Sequence, residues 1–250
     1  MAQDLEGRRV VISGASSGIG LAAAQLVAER GGTSIMLGRR LGLLESEAAS
    51  IGVNATAFEM DVTDPSSIVS AFAQIEERFD HVDALINAAG AMRYRRIEEH
   101  SEEDIDAVIN TNLRGPILTI GAALPLLRRS SGADIVNLGS ETTELYLPRS
   151  SVYTATKAGL TALSDCIGRE LRPEGIRVTL VVVGYTRTGI SALIPQEDRD
   201  RAREAVIESA YPVFSGTTPM DARWVAETAL YPITRPRGER VGVIHSRSMS

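Results

Sequence analysis

Tyr153 and Lys157 lie four positions apart in Ser151-Val152-Tyr153-Thr154-Ala155-Thr156-Lys157, and Ser140 lies thirteen positions before the tyrosine. Four residues is about one helical turn, so on a helix the phenol and the ammonium share a face. A phenol with its ordinary pKa near ~10 is a poor proton donor or acceptor at neutral pH. A cation held beside it favours the phenolate and draws that pKa down toward the working range. A hydroxyl such as that of Ser140 can hold a carbonyl oxygen or an alkoxide while charge develops on it. Together the three suit proton exchange with an oxygen-bearing substrate. A helix with an ordinary surface lysine produces the same spacing with no chemistry, so the pair takes its meaning from the rest of the chain.

A second group of residues suits a phosphate. Ser13-Gly14-Ala15-Ser16-Ser17-Gly18-Ile19-Gly20 follows a short β-branched run and opens an amphipathic one. Glycines at a strand-to-helix turn let the backbone close on a pyrophosphate, and the helix N-terminus adds free N–H groups and the positive end of its dipole.

Positioning these groups requires a regular scaffold, and the chain reads as one. Strands are predicted at Arg9–Ser13, Thr33–Leu37, Ala55–Met60, Ala84–Asn87, Asp134–Leu138, Arg177–Val183 and Gly242–Ile244. Helical patterns fall between them at Gly18–Arg30, Leu41–Ser50, Pro65–Arg78, Glu102–Arg129 and Ser151–Leu171. Apolar strands joined by helical crossovers mark an α/β fold, a doubly wound parallel sheet covered on both faces. With no linker and no internal repeat, residues 1–250 read as one Rossmann-type domain. Thr188–Asp221, which carries a charged stretch and then Tyr211-Pro212-Val213-Phe214, reads as a substrate lid inserted before the last elements.

Composition narrows the partners. The 250 residues carry a net charge of −6, which argues against nucleic acid, since phosphate binding needs a clustered cationic excess. No run reaches the roughly 18 apolar residues of a membrane span, and the N-terminus lacks the layout of a secretory signal, so a cytoplasmic protein is expected. The one cysteine, Cys166, falls among apolar helical positions and reads as a small core residue. His81, His100 and His245 stand far apart, so no metal site is expected.

The glycines fall as G-x-x-x-G-x-G, and with Tyr153-x-x-x-Lys157 the chain resembles the short-chain dehydrogenase/reductase family, from Gly14 to at least Thr188. The resemblance implies an oxidoreductase that moves hydride between a nicotinamide dinucleotide and a small-molecule carbonyl or secondary alcohol. It makes Tyr153 the acid/base, Lys157 the group that lowers the tyrosine pKa and bonds the nicotinamide ribose, and Ser140 the anchor of the substrate oxygen. It assigns Asn112, within Asn112-Leu113-Arg114-Gly115, to a proton relay through its backbone or side chain. Cofactor contacts are implied for Gly14, Ser16, Ser17, Gly18, Ile19 and Gly20, for Asp61 and Val62 at the adenine, and for Asn87, Ala88, Ala89 and Gly90. Gly184, Thr186 and Thr188 resemble the segment that holds the nicotinamide side.

Departures are visible as well. Ala88, Gly139 and Val183 stand where the family carries asparagine, serine and proline.

At the end of the second strand, Leu37-Gly38-Arg39-Arg40 offers two guanidiniums and no carboxylate. A carboxylate there would accept from the ribose hydroxyls of NAD, whereas guanidiniums grip a 2′-phosphate. NADP(H) is therefore expected over NAD(H), with Arg39 and Arg40 as the phosphate site; two arginines merely solvating a loop is the competing account.

Arg93, Arg95 and Arg96 either attract an acidic substrate or form a solvated run. Tyr146, Leu147, Tyr211 and Phe214 offer apolar surface to a substrate. The resemblance also implies a homo-oligomer, tetramer or dimer, through the helices of 102–129 and 151–171. A non-catalytic dinucleotide-binding sensor on the same fold and a nucleotide-sugar epimerase are the rival functions; the filled set of four residues counts against the first, and the glycine pattern and chain length against the second.

Overall fold

The computed structural model describes residues 4–187, 196–198, 200–201, 204 and 218–248. Seven parallel strands form one sheet: β1 (Arg9–Ser13), β2 (Thr33–Gly38), β3 (Ala55–Glu59), β4 (Ala84–Asn87), β5 (Asp134–Leu138), β6 (Arg177–Val183) and β9 (Val243–Ser246). Their spatial order is β3-β2-β1-β4-β5-β6-β9, so the order reverses between β1 and β4. A small parallel pair, β7 (Thr186–Arg187) and β8 (Met220–Asp221), lies apart from it. This is the Rossmann-type α/β architecture expected, and the last strand runs two residues past its predicted end.

The helices are α1 (Gly18–Glu29), α2 (Leu41–Ile51), α3 (Pro65–Arg78), α4 (Glu102–Ile109), α5 (Gly115–Leu127), α6 (Thr142–Leu145), α7 (Ser151–Glu170) and α8 (Ala222–Leu230). Successive strand side chains point to opposite faces, and the two cores follow that alternation. Val10, Ile12, Met36 and Ile86 meet Leu26, Val27 and Leu230 on one face. Val11, Ile35, Leu37 and Leu85 meet Phe72, Ile75 and Ile120 on the other. Near-continuous Val/Ile/Leu strands are what two buried faces demand.

Two readings of the chain are corrected here. The single helix expected over 102–129 is two α-helices separated by a π-helical segment, Asn110–Arg114. Pro116 stands at the start of α5. A proline there has no N–H to continue the ladder of α4, and the local widening absorbs the mismatch. Cys166 is exposed on α7 rather than packed in the core. Most of the lid reading at 188–221, with Tyr211 and Phe214, lies outside the described residues. No helix among the described residues is long and apolar enough to cross a membrane.

Candidate active site

Ser13, Asn87, Leu138 and Val183 end β1, β4, β5 and β6, so the groups singled out above gather at the carboxyl edge of the sheet where strand order reverses. That crevice is where open α/β sheets take ligands. Gly14 has φ +69°, and a Cβ there would lie 2.8 Å from the Ala89 backbone. Only glycine meets both the left-handed conformation and the close approach. Gly20 has no room either, since a Cβ would sit 2.4 Å from the Gly14 carbonyl oxygen. The turn is thus pressed between α1 and the β4 end.

Ser17 caps α1 without a side-chain hydrogen bond. The first N–H groups of Gly18, Ile19 and Gly20 keep their donor capacity for an anion. Arg40 reaches back to donate to Ser16 Oγ at 3.2 Å, and Arg39 is exposed beside it. A dinucleotide fits this donor set: a glycine cradle that any Cβ would fill, a helix N-terminus and two guanidiniums.

Just past β3, Asp61 Oδ1 accepts from the Thr63 N–H at 2.8 Å and from the Thr63 hydroxyl at 2.7 Å. Asp64, rather than Asp61, caps α3 by accepting from Ser66 N–H at 2.9 Å. Val62 packs at Gly115, where a Cβ would lie 3.0 Å from the Val62 oxygen. Asn87 turns inward, its Nδ2 donating to Asn137 Oδ1 at 2.8 Å. The N–H groups of Ala88 and Ala89 donate to Ser13 Oγ at 3.2 and 3.3 Å, which leads the Ala88-Ala89-Gly90 backbone toward the glycine turn.

Asn112 sits fully buried in the π-helical segment. Its Oδ1 accepts from the Ala91 N–H at 2.9 Å, and its Nδ2 donates to the Ala91 carbonyl at 2.6 Å. Leu113 beside it fills the notch at Gly159 of α7, where a Cβ would meet Leu113 at 3.1 Å. The segment is thereby keyed onto the helix that carries Tyr153 and Lys157.

Tyr153 and Lys157 are both buried on one face of α7. Lys157 Nζ donates to the Leu138 carbonyl at 2.8 Å and lies 5.6 Å from the centre of the Tyr153 ring. The Ser140 side chain lies close enough to the Tyr153 phenol to oppose the effect of burial on its pKa. Ser140 Oγ itself accepts from the Thr142 hydroxyl at 3.1 Å and the Thr142 N–H at 3.3 Å. Burial lowers the Lys157 ammonium to about 8. Burial also pushes the Tyr153 phenol up to about 12, against the opposing pull of Ser140. The lowered tyrosine pKa expected from the pairing is therefore not found: desolvation of the phenol outweighs the pull of Ser140.

Gly184 and Thr186 form the turn after β6, with the Thr186 hydroxyl donating to the Gly184 carbonyl at 2.8 Å. Thr188 lies outside the described residues.

The model of the family described as short chain dehydrogenase matches residues 8–199. The chain belongs to this family. A short-chain dehydrogenase/reductase is an oxidoreductase acting on CH–OH or C=O groups. An uncharacterized oxidoreductase of Staphylococcus haemolyticus is 28% identical over 98% of both chains. The alcohol dehydrogenase of the archaeon Thermococcus sibiricus, solved with 5-hydroxy-NADP, superposes with a TM-score of 0.82 at 26% identity over 97% of both chains. A serine dehydrogenase in complex with NADP+ shares the fold, with a TM-score of 0.85 at 24% identity over 95% of this chain and 94% of its own.

Within this short-chain dehydrogenase/reductase, Arg93 and Arg95 are neither solvated nor an open anion trap, while Arg96 is exposed. Arg93 Nε donates to Asp104 at 2.8 Å and lies 3.9 Å from Asp198, and Arg95 pairs with the buried Asp198. Leu147 is buried, so of the two wall residues before α7 only Tyr146 offers open surface. Sequence reasoning missed three polar residues: Ser13, Thr142 and Asn137. Asn137 Nδ2 also donates to Ser164 Oγ at 2.9 Å, which completes a buried link from β4 through β5 to α7. An asparagine inside the apolar run Ile135-Val136-Asn137-Leu138 was the available signal.

Proposed function

We propose that this short-chain dehydrogenase/reductase interconverts a carbonyl and a secondary alcohol with Tyr153 as the acid/base, using NADP(H) in preference to NAD(H). The observation that carries the reading is the burial of Ser140, Tyr153 and Lys157 together at the carboxyl edge of the sheet, with Lys157 Nζ 5.6 Å from the centre of the Tyr153 ring. A phenol poised beside a hydroxyl donor and an ammonium has little use except proton exchange at an oxygen.

When bound, the nicotinamide supplies or accepts the hydride. In the reductive direction the Tyr153 hydroxyl gives its proton to the substrate oxygen. Ser140, held by Thr142, donates to that same oxygen and stabilises the charge that develops on it. Lys157 places its positive charge beside the phenolate that remains. Asn112, whose side chain is tied to Ala91, serves a relay of protons from solvent through its backbone or side chain. Oxidation runs the same steps backward.

NADP(H) is favoured because Arg39 and Arg40 stand at the β2 end with no carboxylate at Gly38. The non-catalytic sensor is set aside, because a scaffold without turnover has no use for the buried Ser140–Tyr153–Lys157 constellation. A panel of carbonyls with NADPH and of alcohols with NADP, read at the nicotinamide absorbance, tests the reading. Turnover of at least one pair supports it, and cofactor binding without turnover of any carbonyl or alcohol counts for the sensor.

A further inference from the structure

The turn Val183-Gly184-Tyr185-Thr186 contains no proline to stiffen it, yet each of its inner backbone polar groups has a partner. Gly184 N–H donates to the Ser246 carbonyl at 2.8 Å, and the Tyr185 carbonyl accepts from Met220 N–H at 2.9 Å. The Gly184 carbonyl accepts from the Thr186 hydroxyl. The remaining two groups both go to one residue. The Val183 carbonyl accepts from the Glu141 N–H at 3.0 Å, and the Tyr185 N–H faces the Glu141 carboxylate and favours its charged form against the effect of burial. Glu141 Oε2 lies 3.0 Å from the point where a Cβ on Gly184 would stand, so the missing side chain of Gly184 makes the room for it.

We propose that Glu141 is a positioning residue that clamps the Val183–Thr186 turn from both ends, coupling it to Ser140, its neighbour in the chain. Its main chain pins the turn's start and its side chain pins the turn's third residue. The half-buried carboxylate is held in place in turn: Arg247 draws it electrostatically, while Arg247 and His245 are themselves engaged by Glu144. A charged acceptor on a backbone N–H is among the stronger hydrogen bonds available to a turn. The consequence for the reaction rests on the reading above, in which Gly184 and Thr186 line the nicotinamide side. There the clamp sets the distance between the cofactor ring and the substrate oxygen at Ser140, so its loss weakens cofactor binding and slows turnover without removing any group that touches substrate.

The test compares the full-length wild type with Glu141→Ala and Glu141→Gln by amide hydrogen exchange of the peptide spanning 184–187, together with calorimetric titration of NADPH. Loss of one charge-assisted hydrogen bond predicts about 10-fold faster exchange and about 10-fold weaker NADPH binding in Glu141→Ala. Glu141→Gln keeps a carbonyl acceptor and restores most of both. Unchanged exchange in Glu141→Ala overturns the clamp, and so does a glutamine variant as fast as alanine. Should Glu141→Ala fail to fold, Gly184→Ala displaces the carboxylate by its Cβ, and undiminished protection of Tyr185 there overturns the proposal equally. If the wild type binds neither NADPH nor NADH, the oxidoreductase reading fails while the exchange data still judge the clamp.

Discussion

Lys157 carries the sharpest electrostatic consequence of the site. Burial lowers its ammonium from 10.5 to about 8. In the unfolded chain the lysine keeps its proton up to about 10.4, so between pH 8 and 10 the unfolded state holds a proton that the folded state has released. Folding stability attributable to Lys157 must then rise with pH across that window and stay level below it. The Tyr153 phenol, pushed up to about 12 from 10.0, acts in the opposite direction only above pH 10. Denaturant unfolding of the wild type and of Lys157→Met from pH 6 to 10 checks this. The gap between the two should shift in favour of the wild type above pH 8, and parallel curves refute the assignment. At the other end of the crevice, Arg39→Asp replaces the cation proposed to hold the 2′-phosphate with an acceptor for a ribose hydroxyl. The ratio of kcat/KM for NADPH over NADH should fall by at least ~10-fold, and an unmoved ratio removes Arg39 from the phosphate site. The residue types and spacings at these positions were readable directly from sequence, because each lies within one turn of helix or one strand-to-helix junction. The pKa directions were not, because burial is a property of the folded surroundings.

At the level of elements, the strand and helix series was legible because apolar periodicity over five or more residues overrides local propensity. The π-helical segment was not. Five residues of widened helix at Asn110–Arg114 barely disturb a pattern read over a longer window, and only Pro116 marked the change. Its effect is substantial, since it is this segment that holds Asn112 against Ala91. The Cys166 misreading has a related origin: helical phase assigned from one end of a 20-residue helix drifts by the other. Between elements, Asn137 links Asn87 to Ser164 in a fully buried chain of hydrogen bonds. Asn137→Ala leaves the Asn87 Nδ2 donor without its acceptor and Ser164 Oγ without its donor, at about 1–3 kcal/mol for each group abandoned. Urea denaturation should show a loss of at least ~2 kcal/mol. A loss below half of that would mean water replaces the side chain there.

Across the whole molecule, chemistry and stability occupy opposite edges of the sheet. The proposed catalytic groups crowd the carboxyl ends of the strands. At the amino ends, buried Asp134 gathers Arg8 at 3.3 Å, Arg177 at 2.7 Å and Arg237 at 2.7 Å. Neither this cluster nor the pairing of Arg93 and Arg95 with Asp104 and Asp198 was legible in the chain, since each joins residues far apart in sequence. On the outside, α4 and α5 present Ile109 and Ile117 to solvent. With the family resemblance, this supports a homo-oligomer, tetramer or dimer, built through the helices of 102–129 and 151–171. Light scattering at micromolar concentration should give a multiple of the 26.8 kDa chain, and a monomer contradicts it. Proton transfer at Tyr153 is the step the proposed site is built around, and Tyr153→Phe removes the hydroxyl that carries the proton and nothing else. With the best carbonyl substrate and NADPH, turnover should fall by about 10²–10⁴-fold while the NADPH dissociation constant stays near that of the wild type. Equal turnover in the two proteins would rule out Tyr153 as the acid/base.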